Sequence, residues 1–432
     1  MEAGEIFRVE GPAKVDVVEG ELYAVGAIYR AGQSFTVLRA RKLAFKAVSR
    51  SKISVMLGPG AVLERARPEE EVIDEWESLA SSIELRGVIV IIGALDVGKS
   101  TMTAVLANKA LMGNKGVAVV DADVGQNDLG PPTTISASRV PRPVTHLRQL
   151  QAEKSIFVQS TSLERIWDRA VEAIKRLVDY AKSQWGSDVV IVNTDGWIAG
   201  EEAVAYKRSL LSALAPTGIV AIRIGGELDE IVKGFTNVAF ARPPPAARTR
   251  SKEDRKIHRD MSYGRFIFPV KEISIDLDKL PFCNLVLSKG IIIDNNLMGI
   301  LSRAINSRIF YAVQSGNLVY AITEGWAIKR VGNVRVFGLP EGFERGLLVG
   351  FEDSGGFLLG LGVLKRIYYE KRKAVIYASA KLERSLDKAR CIRVGYVRLN
   401  ENFEEAEKVT QLLRYDLYSS ERDGSVRGAG SA

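Results

Sequence analysis

One eight-residue segment has the residue types and spacing of a phosphate-binding loop. The segment Gly93-Ala-Leu-Asp-Val-Gly-Lys-Ser100 fits G-x-x-x-x-G-K-[ST] at every fixed position, between an apolar run and a helical pattern. Its glycines let backbone N–H groups turn toward phosphate oxygens, and the following helix directs its positive dipole end at the same anion. Lys99 is expected to bridge the β- and γ-phosphates of a nucleotide, and the Ser100 hydroxyl to ligate Mg²⁺. The predicted nucleotide-contacting residues are Gly93, Ala94, Leu95, Asp96, Val97, Gly98, Lys99, Ser100 and Thr101.

Two carboxylates follow the next apolar strand, in Val119-Val-Asp-Ala-Asp-Val-Gly-Gln126. Acidic side chains at the carboxyl end of a parallel strand face the phosphates across the sheet crevice. Asp121 and Asp123 share parity in an extended chain, so both are expected to point the same way. One can belong to the magnesium shell and the other can accept a proton from an attacking hydroxyl. The alternative is an ordinary Asp- and Gly-rich turn; in the phosphate-site interpretation, the predicted metal ligands are Ser100, Asp121 and Asp123.

A tryptophan closes the segment Val192-Asn-Thr-Asp-Gly-Trp197, which ends another apolar strand. A tryptophan just outside a buried strand can serve as a stacking platform for a nucleobase, worth roughly 1–3 kcal/mol whatever the base. The alternative is a tryptophan that belongs to the core or to a hinge.

A basic segment, Arg248-Thr-Arg-Ser-Lys-Glu-Asp-Arg-Lys-Ile-His-Arg259, follows a proline-rich loop. Ser251 can cap the start of a helix, with Asp254 three residues further on. One face of that helix then carries Lys252, Arg255, Lys256 and Arg259. Such a stripe suits a lid over phosphates, because arginine offers planar bidentate donors. The alternative is a solvated helix with internal charge pairs.

The elements that position these motifs predict an α/β fold: a P-loop NTPase parallel sheet with helices on both faces, flanked by β-rich domains. Nearly continuous Val/Ile runs at 88–92, 117–120, 189–192 and 219–224 indicate buried parallel strands. The expected division is a β-rich N-terminal domain at 1–66, a P-loop domain at 67–266, a β-rich C-terminal domain at 267–418 and a disordered tail at 419–432.

Composition narrows the class of protein. The chain has 432 residues and a net charge of +8, a mild excess that hints at a polyanionic partner. Only two histidines and two cysteines, Cys283 and Cys391, are present, which argues against a histidine-based triad, a structural zinc site and a disulfide framework. No apolar run reaches the roughly 20 residues needed to cross a membrane, and the N-terminus is polar, so a reducing, cytoplasmic location is expected.

In this order, the four motifs resemble those of the polynucleotide 5′-hydroxyl kinase family, which includes RNA-processing P-loop kinases and archaeal members. The matching segments are the P-loop Asp96-Val-Gly-Lys-Ser-Thr101, the Walker B segment Asp123-Val-Gly-Gln126, the T-x-G-W clasp Thr194-Asp-Gly-Trp197 and the R-x-x-x-R lid Arg255-Lys-Ile-His-Arg259. Two segments depart from the family pattern: Phe157-Val-Gln-Ser-Thr-Ser162, where a Gly and a Ser-Pro pair are expected, and Pro131-Pro132.

The resemblance implies ATP- and Mg²⁺-dependent phosphorylation of the 5′-hydroxyl end of RNA, with DNA as a further acceptor to test. It assigns Asp123 to orienting and deprotonating the hydroxyl, with Asp121 in support. Arg255 and Arg259 would neutralise charge on the transferred group. The residues expected to contact the polynucleotide are Gln126, Thr194, Trp197 and Arg250. RNA-processing proteins are the expected protein partners, and no association with a membrane is expected.

Three rival interpretations stay open at this point. The first is a non-catalytic scaffold that binds ATP within an RNA-processing complex, as some family members do. The second is a P-loop GTPase or ATPase switch, against which the chain lacks an N-K-x-D motif. The third is a small-molecule kinase, which the net charge and Trp197 disfavour.

Overall fold

The structure is a computed structural model that describes residues 1–39, 41–245, 251–285, 287 and 290–415. Arg250 and the proposed tail at 419–432 lie outside the described residues. The chain divides into two compact units. The first contains Met1–Gly130, Thr134–Ser155 and Ser162–Arg255, and the second contains Pro131–Thr133, Ile156–Thr161 and the chain from Lys256 onward. The finer three-domain division expected from the sequence stays a prediction.

The amino-terminal part of the first unit is built from two antiparallel sheets, with strand orders β4-β3-β6-β1-β8 and β5-β2-β7. Alternating apolar residues bury one face of each strand, and Val9, Val15, Leu22, Phe35 and Phe45 meet in a common core. The strands are β1 (Ile6–Glu10), β2 (Ala13–Glu19), β3 (Glu21–Ala24), β4 (Ala27–Arg30), β5 (Ser34–Val37), β6 (Lys42–Ala47), β7 (Lys52–Leu57) and β8 (Val62–Ala66).

A seven-stranded sheet in the order β12-β11-β10-β13-β9-β14-β15 carries the chemistry-bearing motifs. Five strands are parallel, whereas β11 runs antiparallel to β10, so the sheet is mixed at that edge. The strands are β9 (Gly87–Gly93), β10 (Val117–Asp121), β11 (Thr134–Arg139), β12 (Lys154–Phe157), β13 (Val189–Asn193), β14 (Gly218–Ile222) and β15 (Val238–Ala241). Because β13 lies between β9 and β10, the carboxyl ends of three motif-bearing strands are neighbours.

Helices cover both faces of this sheet, as expected for a P-loop α/β fold. On one side α2 packs on β9, β10 and β13 and is backed by α1. Elsewhere α3 packs on β10, β11 and β13 and is backed by α4. The helices are α1 (Ile73–Ser82), α2 (Lys99–Met112), α3 (Trp167–Gln184), α4 (Glu201–Leu214) and the single-turn α5 (Asp229–Val232). None of the helices in the described ranges is both long and apolar enough to span a membrane.

The second unit is β-rich, in line with the sequence-based expectation. Its main sheet has the order β16-β24-β23-β22-β25-β26 and its smaller sheet the order β17-β18-β19-β21-β20. Helix α6 (Lys252–Ile267) leads into the unit and α7 (Asn295–Ile305) packs on β18 and β20. The strands are β16 (Val270–Asp276), β17 (Ile291–Ile292), β18 (Ile309–Ser315), β19 (Leu318–Thr323), β20 (Ala327–Val331), β21 (Val334–Pro340), β22 (Leu347–Glu352), β23 (Leu358–Tyr368), β24 (Lys373–Ser379), β25 (Cys391–Leu399) and β26 (Glu405–Lys408).

The two cysteines correct one expectation from the sequence. Cys283 and Cys391 form a disulfide within the second unit, with a Cα–Cα distance of 5.4 Å. Both sulfurs lie 3.7 Å from the buried Glu352 carboxylate, which Arg393 holds in a two-pronged ion pair. Two cysteines 108 residues apart carried no pairing signal in the sequence, because only the sheet brings their backbones together.

Candidate active site

The phosphate-binding loop connects β9 to α2 through a backbone that only certain residues adopt easily. Gly98 precedes α2 with φ of +97°, and a Cβ there would lie 2.9 Å from Cη2 of Trp76. Asp96 adopts φ of +60°, a left-handed conformation that aspartate tolerates better than most residues. Glycine at position 98 is therefore required both by its dihedral angle and by the buried Trp76 against it.

Lys99 lies in the first turn of α2 and is buried. Its Nζ donates to the carbonyl oxygen of Ala94 within the loop, at 2.6 Å. Burial lowers the pKa of Lys99 to about 8, while the nearby Asp123 carboxylate opposes that shift. A buried ammonium with one neutral acceptor is a favourable partner for phosphate oxygens, which would supply the charge that the protein interior lacks.

A strand-end asparagine links two of the predicted metal ligands. Asp121 and Asn193 are register partners at the ends of β10 and β13. The Nδ2 group of Asn193 donates to Oδ1 of Asp121 at 3.0 Å and to Oγ of Ser100 at 3.3 Å. The other oxygen of Asp121 accepts from the backbone N–H of Asp128 at 2.7 Å. Sheet order thus brings Ser100, Asp121 and Asn193 into one cluster.

The donor set of this cluster fits Mg²⁺. A serine hydroxyl and a carboxylate are the hard oxygen ligands that Mg²⁺ prefers, with water completing the octahedron. Burial, together with the nearby Asp128 and Asp123, raises the pKa of Asp121 to about 8, and a bound cation would favour its ionised form. Within the part of the chain that the structure describes, the buried Oδ1 of Asn193 accepts no hydrogen bond, which suits a metal-bound water.

Asp123 lies outside β10, so strand alternation does not determine the direction of its side chain, contrary to the expectation from the sequence. The strand ends at Asp121, so alternation along an extended chain does not continue to Asp123. Asp123 instead accepts from the backbone N–H groups of Gly125 and Gln126, at 3.1 and 2.9 Å, through Oδ1 alone. Burial raises the pKa of Asp123 and Lys99 opposes the rise. A carboxylate oriented by its own turn, with a raised pKa, has the properties of a general base.

The T-x-G-W clasp packs directly against the phosphate-binding loop. A Cβ at Gly196 would lie 2.5 Å from Cδ2 and 2.8 Å from the backbone nitrogen of Leu95, so only glycine fits there. Thr194 is buried, and its hydroxyl donates to the carbonyl oxygen of Ile91 at 2.8 Å. The observed contact of Thr194 is therefore with β9, and a direct contact with substrate stays a prediction.

Trp197 is half-buried and held through both its backbone and its ring. Its N–H donates to Oδ1 of Asp195 at 2.9 Å, and its ring stacks on Tyr206 with a centroid distance of 5.9 Å and an interplanar angle of 24°. Asp195 also accepts from the buried Lys207 and from the Tyr206 hydroxyl, both at 2.8 Å. The structure thus supports a fixed aromatic ring at this position.

The lid helix α6 begins as its sequence predicts. The Ser251 hydroxyl accepts from the N–H of Asp254 at 3.0 Å and the Asp254 carboxylate accepts from the N–H of Ser251 at 3.1 Å, which completes a reciprocal capping box. Arg255 then pairs with Asp96 of the phosphate-binding loop at 2.8 Å. Its carbonyl oxygen accepts from Nε2 of Gln126 at 3.1 Å. Lid, loop and Walker B segment are therefore linked through Arg255.

The two lid arginines have different partners. Arg259 lies in the second unit, where its guanidinium pairs with Glu405 of β26 at 2.7 Å. Next to it, Asp260 accepts from the backbone N–H of Glu405 at 2.7 Å. A role for Arg259 at a phosphoryl group stays a prediction, as does the substrate role of Gln126, and Arg250 lies outside the described residues.

The sequence assigned no role to four residues of the site: Asn193, Asp195, Tyr206 and Lys207. Asn193 stands at a strand end, beside motif residues that attracted attention first. Tyr206 and Lys207 lie within an amphipathic helical pattern, in which a lysine ordinarily indicates the solvent face. The one available signal was the position of Asn193 at the carboxyl edge of a buried strand, where ligand contacts concentrate.

Comparisons with known proteins identify the family of this chain. The family model described as the P-loop of the mRNA cleavage and polyadenylation factor CLP1 matches residues 93–268. A polyribonucleotide 5′-hydroxyl-kinase of Methanocaldococcus jannaschii is 30% identical over 324 residues, which are 73% of this chain and 88% of that protein. The chain belongs to the polyribonucleotide 5′-hydroxyl-kinase family. Another archaeal family member, from Pyrococcus abyssi, is 29% identical over 322 residues, covering 73% of this chain and 89% of its own length.

A solved structure shares the fold of this family member. It is that of wild-type Clp1p in complex with Pcf11p (454–563), with a TM-score of 0.58 and 13% identity, covering 92% of this chain and 96% of the other. The α/β architecture with β-rich flanking regions is thereby confirmed. The matched family model begins at Gly93 and extends beyond the lid helix, so it covers all four motifs of this kinase.

Proposed function

We propose that the protein transfers the γ-phosphate of ATP to the 5′-hydroxyl end of RNA, and that DNA is a second acceptor. One observation carries the proposal. A phosphate-binding loop, a magnesium-type ligand pair, a candidate base and a tryptophan platform meet within one compact unit of a chain that belongs to the polyribonucleotide 5′-hydroxyl-kinase family. The protein is therefore an RNA 5′-hydroxyl kinase, a phosphotransferase with an alcohol acceptor.

The phosphates would be held by the loop and by Lys99. Backbone N–H groups at the start of α2 would donate to phosphate oxygens. The Lys99 ammonium group, which donates to the Ala94 carbonyl in the structure, would donate to the β- and γ-phosphates instead. Ser100 and Asp121 would hold Mg²⁺, with Asn193 fixing both side chains. The ion, when bound, neutralises charge on the β- and γ-oxygens.

Asp123 is the proposed general base. Its carboxylate, fixed by two backbone donors, takes the proton of the 5′-hydroxyl as that oxygen forms a bond to the γ-phosphorus. The bond from the γ-phosphorus to the bridging oxygen breaks in line, and ADP leaves with the electron pair. Because transfer is largely a matter of positioning, small displacements of Asp123 are expected to be costly.

The lid would neutralise the transferred group. Arg255 is tethered to the loop through Asp96, which places a guanidinium in the same unit as the phosphate site. A phosphate-neutralising role for Arg259, which pairs with Glu405 in the structure, stays a prediction from the lid motif. Arginine serves this role well because its planar fork matches phosphate geometry.

The polynucleotide would be recognised through one base and its backbone. Trp197 offers a ring on which any base can stack, and Thr194 would help it to clamp the terminal nucleotide. Gln126 would help to seat the backbone, and Arg250 is a further proposed substrate contact. Recognition of this kind predicts weak sequence preference and strong salt dependence.

The rival interpretations are less well supported. A non-catalytic scaffold that binds ATP would not need the candidate base and the lid arginines that this chain contains, and the archaeal relatives are named as kinases. A P-loop GTPase or ATPase switch would have no use for the lid or for the T-x-G-W clasp. The structural neighbour binds a protein partner, Pcf11p, so we propose that this chain also has a protein partner in RNA processing. A cytoplasmic location stays a prediction.

Transfer of labelled γ-phosphate from ATP to a short 5′-hydroxyl RNA tests the proposal. Wild type is compared with Lys99→Ala, Asp123→Asn, Arg255→Ala and Arg259→Ala, each expected to lose at least about a hundredfold in rate. Lys175→Ala on α3 is the control, since it removes only an exposed pair with Asp179. If the protein binds ATP but transfers phosphate to neither RNA nor DNA, the scaffold is favoured. If it hydrolyses ATP at a rate that polynucleotide does not change, the switch is favoured.

A further inference from the structure

A buried charge network lies beneath the tryptophan of the clasp. Asp195, Tyr206 and Lys207 are all buried, and the side chains of Tyr206 and Lys207 have no exposed surface. Lys207 donates to the carboxylate of Asp195 at 2.8 Å and to its carbonyl oxygen at 3.0 Å. The Tyr206 hydroxyl donates to the same carboxylate at 2.8 Å. One aspartate therefore collects two side-chain donors from adjacent residues of α4.

Such a network is a poor way to stabilise a fold. Removing a lysine and an aspartate from water costs more than a well-packed apolar pair of similar volume would. Burial accordingly lowers the pKa of Lys207, although Asp195 acts in the opposite direction. A fully buried ion pair beside a site suggests a requirement for fixed geometry.

The network is connected to Trp197 in two ways. The second oxygen of Asp195, Oδ1, accepts from the backbone N–H of Trp197 at 2.9 Å. The ring of Tyr206 stacks on Trp197 at 5.9 Å and also contacts Trp167, with centroids 6.2 Å apart. Asp195 thus holds the backbone of Trp197 directly, and Tyr206, which donates to Asp195, holds its ring.

We propose that Asp195, Tyr206 and Lys207 are positioning residues that hold the Trp197 ring as the stacking platform for the terminal base of the acceptor strand. The proposal rests on the proposed function of the same site and adds how the acceptor nucleotide is oriented. Because stacking tolerates every base, the network sets the placement of the 5′-hydroxyl and not the sequence preference. Its loss is expected to weaken acceptor binding and leave nucleotide binding intact.

Two readouts test the proposal on the full-length protein. The first is steady-state kinetics with RNA and ATP varied separately. The second is the fluorescence of an RNA with 2-aminopurine at its 5′ end, which stacking quenches, measured with MgCl₂ and ADP. Trp197→Ala defines the complete loss of quenching.

Tyr206→Phe is the mildest variant, since it removes only the hydroxyl from the network. We expect about a tenfold rise in KM for RNA, weaker quenching, and little change in kcat or in KM for ATP. Tyr29→Phe is the matched control, because Tyr29 is also a buried tyrosine but packs on Phe35 in the N-terminal sheets.

Two variants that differ in buried charge distinguish an effect on the position of Trp197 from an effect on folding. Lys207→Met leaves Asp195 buried without its ammonium partner and is expected to lower the unfolding temperature. Asp195→Asn combined with Lys207→Met removes both charges, so it should recover stability while KM for RNA stays high. Recovery of both properties would overturn the proposal, as would wild-type KM and quenching in Tyr206→Phe.

The same data distinguish this inference from the proposed function. If wild type transfers phosphate to RNA but quenching is indifferent to Tyr206→Phe, the positioning role alone is wrong. If wild type transfers nothing but quenches 2-aminopurine through Tyr206, the proposed function is wrong and the platform is upheld.

Discussion

At the residue scale, the distinctive feature of this site is that its side chains are held in place by other side chains. Asn193 bridges Ser100 and Asp121, and Asp195 holds Trp197. Lys99 and Asp121 are buried with pKa values displaced in opposite directions, each toward its neutral form. Phosphates and Mg²⁺, when bound, would favour the ionised forms of both side chains.

Removal of the bridging amide should weaken magnesium use. Asn193→Ala deletes the contacts to Ser100 and Asp121, and loss of such a supporting group typically costs roughly 10- to 100-fold in metal affinity or activity. We expect a corresponding rise in the Mg²⁺ concentration for half-maximal transfer. Asn108→Ala is the control, because that buried amide bonds the backbone of Val25 and Val144 and should affect stability alone. Equal Mg²⁺ requirements in both variants would contradict the assignment.

The buried lysine predicts a pH dependence of stability in the ligand-free protein. Lys99 has a folded-state pKa of about 8, below its unfolded value of 10.5, so between these values the unfolded chain binds more protons than the folded one. The free energy of unfolding should therefore rise with pH across this window, by about 3 kcal/mol in total. Urea unfolding in EDTA, compared with Lys99→Met, measures the difference. If the free energy of unfolding varies with pH in the same way in both proteins, the pKa of Lys99 is not lowered in the folded state.

At the element scale, the site depends on how closely three strand-end segments approach one another. The order β10-β13-β9 sets the Walker B segment, the clasp and the phosphate-binding loop side by side. The clasp touches the loop at Gly196, and the lid touches it where Arg255 meets Asp96. A displacement of either the clasp or the lid is therefore expected to move the phosphate-binding loop.

A methyl group at the clasp should separate it from the loop. In Gly196→Ala the new Cβ would meet Leu95 at 2.5 Å, and such overpacking typically costs about 1–3 kcal/mol. We expect a lower unfolding temperature and lower kcat with RNA. Adding Leu95→Ala should recover part of the loss, because the side-chain clash disappears while the backbone nitrogen at 2.8 Å stays. The control is Gly299→Ala in α7, which has nothing within 4 Å; the same kinetic loss there would refute the clash.

Helix capping illustrates what element-level patterns predict well. Ser251 and Asp254 form the expected box because a cap depends on residues only three apart. The partners of the same helix did not follow from its sequence. The stripe of basic residues is real, but Arg255 pairs with Asp96 and Arg259 with Glu405, acidic groups far away along the chain.

At the scale of the whole molecule, the unexpected feature is the cross-link in the second unit. The disulfide between Cys283 and Cys391 closes a loop of 108 residues. Stable disulfides are uncommon in a reducing cytosol. An oxidised Cys283–Cys391 pair in cells would therefore argue against the expected cytoplasmic location. A free-thiol titration of the unreduced protein under denaturing conditions measures that state.

The cross-link should contribute to stability under oxidising conditions. Replacing both cysteines by serine is expected to lower the free energy of unfolding of this unit by about 4 kcal/mol, because the unfolded chain regains freedom. Reduced wild type should then unfold like the serine variant, and reductant should leave that variant unchanged. Identical urea midpoints for oxidised wild type and the variant would show that the bond contributes nothing.

The sequence by itself determined the chemistry of the phosphate site and the class of fold. A P-loop is a contiguous stretch whose glycines, lysine and serine set their own backbone conformation, and buried Val/Ile runs indicate parallel strands whatever their order. The tertiary structure decided which distant residues complete the site. Asn193 reaches Ser100 and Asp121 because β13 lies between β9 and β10, and Lys207 is buried because α4 packs its lysine against Asp195. Strand order and helix docking depend on the packing of the entire core, which local residue patterns do not encode.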